Sequence, residues 1–395
     1  MRERYDVVVA GGGPAGLAIA EPLARRGFSV LVCEKAPEIG KPVRTSGGSW
    51  IADLQALGLP DHLWHPIDAL RFRSAHAEAD IRWGPGVGCA LDVTATWQYL
   101  AGRAERAGAT VSTGTLARLT APGRVGLRTP DGSAEVRCRL VVDATGTTSL
   151  LARQAGVHRG FERVGVGYER ELSAPRYPQD EALVLVGGVA PAGYAWAFPR
   201  GETRVRVGVG IIQPDVEMSP RVLYQPVADM LADELKGSTT LELHAGRIPS
   251  DRAPARLTGD ALLVVGDSAG QSNPLLGEGI RHVIAAARLA APIATSALQH
   301  PGVVSRERLR RWERVGRRAR GRSWPLALRA NRYVARLDDG DWDRAVDLLA
   351  TLPVETATAL LRGEVLSRPM LAGATMGLNP RRAWRVARPF VMAEG

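Results

Sequence analysis

Residues Gly11 to Gly16 read GGGPAG, so Gly11, Gly13 and Gly16 take the glycine places of a G-x-G-x-x-G turn, with Pro14 and Ala15 inside it. In that pattern the first glycine permits a tight turn, the second lets backbone approach a pyrophosphate, and the third lets a helix pack closely on a strand. A helix starting there aims its free N–H groups and positive dipole end at the phosphates. Glu34 closes the next apolar run, FSVLVCEK, where a carboxylate accepts from ribose hydroxyls. The chemistry indicated is dinucleotide binding. A second group stands far along the chain. In GYAWAFPRGE, residues 193–202, Tyr194, Trp196 and Phe198 alternate and Pro199 ends the row, in a chain only 5% aromatic. Residues two apart in a strand share a face, so the three rings form one wall, with Ala195 and Ala197 on the other side. Packing of sheet on sheet and lining of an apolar ligand slot both account for such a wall.

The elements that must position these groups are legible in outline. YDVVVA, then the helical LAIAEPLARRG, then FSVLVCEK make a strand, helix and strand in Rossmann order. RLVVDATG (139–146) is another buried strand with a small-residue turn. DALLVVGDSAGQSNPLLGEGI (260–280) is a strand, then Gly266 and Asp267, then a Gly/Pro loop opening a helix. A carboxylate at a strand's C-terminal end, like Asp267, sits where open α/β sheets bind ligands; it also suits a helix N-cap. Gly277 and Gly279 either shape a turn or expose N–H groups at a helix start. Between these pieces, from about Phe161 to Ile212, short alternating runs predict an antiparallel sheet. Asp92 to Gly108 predicts a helix, residues 109–140 a β-meander, and helices dominate after Ala291. The expected fold class is therefore α/β, a Rossmann-like domain with an inserted antiparallel substrate domain and C-terminal helices. The expected division is 1–75, 93–155 and 245–302 for the cofactor domain, 76–92 and 156–244 for the substrate domain, and 303–395 for the helical region.

The GGGPAG unit, the ATG turn and the GD segment resemble the FAD-binding elements of the flavoprotein hydroxylase superfamily. That resemblance implies FAD, with Ala144 and Gly146 beside its adenosine half and Gly266 and Asp267 at its ribityl chain. Pro274, Gly277, Gly279 and Ile280 would face the isoalloxazine, and further contacts are implied at Pro14, Ala15, Lys35 and Arg44. GGVAPAGYAWAFPRGE resembles the Y-x-W-x-F-P signature of geranylgeranyl reductases, flavoenzymes that saturate isolated double bonds of prenyl chains. IGKPVRTSGG (39–48), NPLLGEGI and DGDWDRAVDLLATL agree with the same family, so the resemblance covers nearly the whole chain. It implies Tyr194, Trp196 and Phe198 as substrate contacts. Two departures stand out: no cysteine lies near Thr45 or Ser46, and Val93 replaces the arginine that often opens the following helix. Reduction of an unactivated alkene needs a hydride and a proton in a water-poor channel. Tyr194 or a bound water is available as donor, and no residue is assigned. An FAD-dependent monooxygenase or halogenase is the alternative, although halogenases usually read W-x-W-x-I-P and need a lysine; Lys41 and Lys236 have no motif around them.

The formal charge is +10, and residues 303–336 hold twelve arginines against Glu307 and Glu313. A solvated helix face, an attraction to anionic lipid headgroups and a nucleic-acid surface all use such a segment; the helical spacing of Trp312, Trp324 and Tyr333 disfavours nucleic acid. Cys33, Cys89 and Cys138 are odd in number and scattered, which predicts a reducing compartment, no disulfide and no metal. That compartment is by default the cytoplasm, with peripheral membrane contact left open by the arginine segment; the most apolar stretch, Ile284 to Leu298, is broken by Arg288 and Pro292, so no membrane span is expected. The absence of a second G-x-G-x-x-G fits transient docking of NADPH as electron donor and a protein donor equally well.

Overall fold

A computed structural model describes residues 2–321 and 323–363. The chain begins with the apolar strand Arg4–Ala10, whose Val7, Val8 and Val9 have no exposed surface. Parallel strands flank it on both sides, Val30–Cys33 on one and Gly132–Asp143 on the other, with Val8 opposite Leu31 and Val141. Continuous β-branched runs suit this setting, because a parallel sheet is covered on both faces. Thr110–Ser112 and Leu262–Val264 extend the sheet at its two sides, and the meander Leu116–Ala121, Arg124–Thr129 grows from the long strand Gly132–Asp143. The helix Pro14–Arg25 packs against Val93–Arg106 and Ile280–Leu298, and the three share one core with the sheet. Asp92 caps the second of these helices, its carboxylate accepting from the Ala95 N–H at 2.9 Å.

A second, seven-stranded sheet runs in the order Thr239–Pro249, Val164–Ser173, Arg204–Gln213, Tyr194–Gly201, Glu181–Leu185, Ala69–Arg73, Glu78–Arg82. Every pairing is antiparallel except Glu181–Leu185 with Ala69–Arg73, which is parallel. The sequence division at residue 75 places Ala69–Arg73 in the cofactor domain; its hydrogen bonds place it in this second sheet. Thr239–Pro249 likewise runs across the boundary drawn at 244. Alternation fails to locate either limit, because it shows that a strand has two faces and not which partner it takes. A three-stranded sheet of Gly48–Trp50, Trp64–Ile67 and Gly88–Leu91 lies at the join.

The C-terminal helices serve both parts. Trp312, with no exposed surface, donates its indole N–H to the Val264 carbonyl at 2.9 Å and anchors Arg311–Arg320 to the first domain. Asp339–Ala350 packs on the edge strand Glu78–Arg82, where Asp343 accepts from the Ser74 hydroxyl at 2.6 Å. The predicted helices beyond residue 363 lie outside the described residues. Of the arginines in 303–336, Arg308, Arg310, Arg311, Arg314, Arg317, Arg318, Arg329, Arg332 and Arg336 are exposed. Arg320 is buried, donates to the Ala269 carbonyl at 3.1 Å, and is pushed down to about 10 by burial and by Arg317. Among the described residues no helix is long and apolar enough to cross a membrane.

Candidate active site

Backbone crowding organises the glycine turn. Gly11 has φ +114°, and a Cβ there would stand 2.2 Å from the Ala144 carbonyl oxygen, so the first strand's turn and the ATG turn touch backbone to backbone. At Gly16 a Cβ would stand 2.0 Å from the Gly11 carbonyl oxygen, which brings the helix onto the strand end. Gly13 is different: nothing lies within 4 Å of its missing Cβ, and as N-cap of Pro14–Arg25 it offers no side chain to the first-turn N–H groups. Those groups and the open space before them suit a phosphate. Glu34, assigned to a ribose, is held by backbone: Oε2 accepts from the Gly12 N–H at 2.8 Å and Oε1 from the Ala36 N–H at 2.9 Å. Lys35 and Arg44 point to the exterior.

Asp143, which the sequence reading passed over, ties two parts of the site together. It is fully buried and accepts from the Thr145 N–H at 2.9 Å, the Thr145 hydroxyl at 2.7 Å, the Ala152 N–H at 2.7 Å and the Ser268 hydroxyl at 3.1 Å. An acid just before the small-residue turn was the available signal. Ser268 also donates to the Gly146 carbonyl at 2.9 Å. Gly266, at φ +69°, approaches the first helix so closely that a Cβ would lie 2.7 Å from that of Ala15. Asp267 accepts a short hydrogen bond from the Ser272 hydroxyl, and no described residue donates to its second oxygen. Burial raises the Asp267 pKa against the lowering effect of Ser272. At Gly279 a Cβ would meet Ser272 Oγ at 2.5 Å and Asp267 Oδ1 at 3.8 Å, which puts the uncapped start of Ile280–Leu298 beside that carboxylate. Pro274 and Ile280 are buried, and Gly277 has φ +70°. Residues 11–16, 143–146, 266–272 and 277–280 thus meet at one place, with two uncapped helix starts and an under-used carboxylate. This donor set fits an extended dinucleotide carrying a polyol and an electron-rich ring.

The aromatic row stands on the second sheet beside this place. Tyr194 and Trp196 have ring centroids 5.6 Å apart, and Trp196 and Phe198 stack at 6.3 Å with a 28° tilt. Gly208 makes room for the middle ring: a Cβ there would lie 2.5 Å from Trp196 Cζ2. The glycines of RVRVGVGI are therefore a slot for Trp196, a role that strand alternation alone did not reveal. Tyr194 donates its hydroxyl to the Leu276 carbonyl at 2.6 Å and so pins the loop that opens the helix Ile280–Leu298. The turn 44–48 crosses the same sheet. Gly246 has no space for a Cβ, which would lie 2.0 Å from the Arg44 carbonyl oxygen, and a Cβ at Gly48 would lie 3.1 Å from the Phe198 ring. Tyr194 and Phe198 also pack against an apolar cluster that includes Trp50, Ile81, Val184, Val346 and Leu361, covered by the two last described helices.

Beneath the rings lies a buried polar network absent from the sequence reading. Trp196 donates to Glu169 Oε2 at 2.6 Å, and Glu169 Oε1 meets His244 Nδ1 at 2.7 Å. Arg206 donates to Glu171 at 2.9 Å and to the Ser46 carbonyl at 2.8 Å. Burial alone would raise Glu171, but Arg206, Arg200 and Arg204 outweigh it and hold the carboxyl below its usual range. As a proton donor Tyr194 is poorly suited: burial pushes it up to about 12, and its proton is committed to Leu276. Cys33, Cys89 and Cys138 are all buried and unpaired, and among the described residues no cluster of His, Cys, Asp and Glu could hold a metal ion.

A dinucleotide cradle assembled from separated segments, with an antiparallel sheet turned toward its reactive end, defines a flavoprotein-type oxidoreductase. The family model described as lycopene cyclase protein matches residues 6–339. Digeranylgeranylglycerophospholipid reductase 2 of Methanothermobacter thermautotrophicus is 34% identical over 353 residues, 86% of this chain and 90% of that protein. Digeranylgeranylglycerophospholipid reductase of Methanocella arvoryzae is 29% identical, covering 96% of this chain and all of the other. Among solved structures, a geranylgeranyl bacteriochlorophyll reductase-like protein of Thermoplasma acidophilum superposes with a TM-score of 0.84 at 24% identity, over 98% of this chain and 100% of that one. A flavin-dependent brominase shares the fold at TM-score 0.71 and 17% identity, over 94% of this chain and 98% of its own. The chain belongs to the geranylgeranyl reductase family of FAD-dependent oxidoreductases.

Proposed function

We propose that this enzyme reduces carbon–carbon double bonds of a prenyl, geranylgeranyl-type lipid. The observation that carries the reading is the Tyr194 to Leu276 hydrogen bond, which locks the ring-bearing strand to the loop at the start of Ile280–Leu298. FAD, when bound and reduced, supplies the hydride. The first-turn N–H groups after Gly13 would hold its phosphates, Asp267 would accept from its ribityl hydroxyls, and the N–H groups at Gly279 and Ile280 would stabilise negative charge on its ring. Tyr194, Trp196 and Phe198 flank the prenyl chain and keep water from the reacting bond, with the cluster around Trp50 and Leu361 extending the apolar surface. The names of the relatives support the substrate class.

NADPH is the proposed transient electron donor. The exposed arginines of 303–336 are the proposed contact with an anionic membrane surface, from which a prenyl lipid is collected by a cytoplasmic, peripheral enzyme. Co-sedimentation with anionic vesicles at low salt, lost at high salt, is the expected result for that contact; absence of binding at both salts removes it. The catalytic reading is tested by reducing the FAD-loaded enzyme anaerobically and adding geranylgeranyl acceptors. Reoxidation with a saturated product is expected, and reduced flavin that persists with every prenyl acceptor overturns it.

A further inference from the structure

Past Phe198 the row along Tyr194–Gly201 changes from rings to charge. Arg200 follows on the strand, and Arg204 and Arg206 stand on the paired strand Arg204–Gln213. With Lys41 they face a cleft of about 280 Å³ at the junction of the two domains. The lining also includes Thr94 and Ala95, in the first turn of the helix Val93–Arg106, whose Ala95 N–H is already taken by the Asp92 carboxylate, so the anion-binding capacity of the cleft rests on its guanidinium groups.

The carboxylates in the wall are Asp92, Glu171 and Glu242, one fewer than the cations. Arg206 is satisfied by Glu171 and by the Ser46 and Leu91 carbonyls. Arg200 is not. Its side chain is 5% exposed, it reaches Asp92 Oδ2 at 3.1 Å, and its Nε has no acceptor. The buried Nε of Arg204 also has none, although its terminal nitrogen meets Glu171 at 2.5 Å. Burial, with the neighbouring Arg206 charge, holds Arg200 below its ordinary pKa. Guanidinium N–H groups left buried without acceptors, beside like charge, are satisfied best by an anion with several oxygens.

We propose that this cleft binds a phosphate or diphosphate group, with Arg200 and Arg204 donating and Lys41 supplying charge at its mouth. Two molecules bring such a group: a prenyl lipid through its polar head, or a dinucleotide electron donor through its phosphates. Only this choice of source rests on the proposed function; the anion site itself does not.

The test is calorimetric titration of inorganic pyrophosphate into the FAD-saturated enzyme and into the Lys41→Gln, Arg204→Gln double variant, whose altered side chains are 45% and 39% exposed in the parent. Saturable one-to-one binding is expected, weakened about tenfold or more in the variant, with FAD content and absorption spectrum unchanged. No saturable binding, equal affinity in both proteins, or release of FAD by pyrophosphate overturns the proposal, the last because the anion would then be competing for the flavin's own site. The source follows from a second pair of measurements. A raised KM for geranylgeranyl diphosphate with an unchanged KM for geranylgeraniol marks the lipid head, and weakened NADPH binding that pyrophosphate no longer inhibits marks the dinucleotide. If neither prenyl acceptor reoxidises the parent enzyme, the proposed function fails while the calorimetry still decides the anion site.

Discussion

The Tyr194 hydroxyl and the Leu276 carbonyl, 82 residues apart, are joined by a 2.6 Å hydrogen bond between the aromatic strand and the loop before Ile280–Leu298. Tyr194→Phe keeps the ring and removes the bond. The expected cost is about 0.5–1.5 kcal/mol of stability, read as a lowered Tm of the FAD-loaded protein, with slower reoxidation by prenyl acceptor. An unchanged Tm and rate would show that the loop holds its place without this bond.

Gly13 and Gly16, three residues apart, should behave oppositely. Gly16→Ala places a Cβ 2.0 Å from backbone, so loss of folding or a penalty of roughly 1–3 kcal/mol is expected in the flavin-free protein. Gly13→Ala meets no protein atom within 4 Å, so the flavin-free protein should keep its Tm while FAD binding weakens. Differential scanning calorimetry with and without FAD separates the two; equal FAD affinity in Gly13→Ala and the parent would remove Gly13 from the cofactor site.

Asp267 carries a pH signature. Burial raises its folded pKa above the ordinary carboxylate value of 3.8, with Ser272 opposing, so the native state takes up protons more readily than the unfolded chain. The sign follows: this residue contributes a stability that is present at low pH and is lost as pH rises from 3.8 through the raised folded value. At neutral pH Asp267→Asn should therefore raise the Tm of the flavin-free protein and weaken FAD binding, because an acceptor charge is removed. A lowered flavin-free Tm would show that the charge is already compensated within the protein.

Glu171 has the opposite sign. Arginines outweigh its burial and lower its folded pKa below 4.5, so its contribution is present above that pH and lost as pH falls through the folded value. Glu171→Gln leaves Arg206 without its carboxylate in a site where both are 2% exposed, and a loss of about 3–5 kcal/mol is expected. Urea unfolding at neutral and acid pH checks this: the gap between parent and variant should narrow on acidification, and a constant gap would exclude titration of Glu171.

How far the chain could be read before folding depended on the range of the interaction. GGGPAG, Glu34, the ATG turn and the GD segment were visible because turn, strand and helix start are local, and glycine is required wherever backbone meets backbone, as at Gly11 and Gly16. Alternation likewise showed that Tyr194, Trp196 and Phe198 share a face. Glu169, His244 and Arg206 stayed hidden because a buried charge has meaning only with its partner, and their partners lie on other strands and loops; Asp143 stayed hidden because the Ser268 it binds is 125 residues away. The Ala69–Arg73 strand joined the second sheet for the same reason: pairing is chosen between distant segments.

By itself, then, the order of residues determined the element types, the glycine turns and the presence of an aromatic row, all of which follow from relations within a few residues. Tertiary structure alone decided that the Gly208 slot seats Trp196, that Tyr194 meets Leu276, and that Arg200 faces a cleft short of acceptors, because close packing and charge pairing act across space between segments whose separation along the chain carries no trace of their contact.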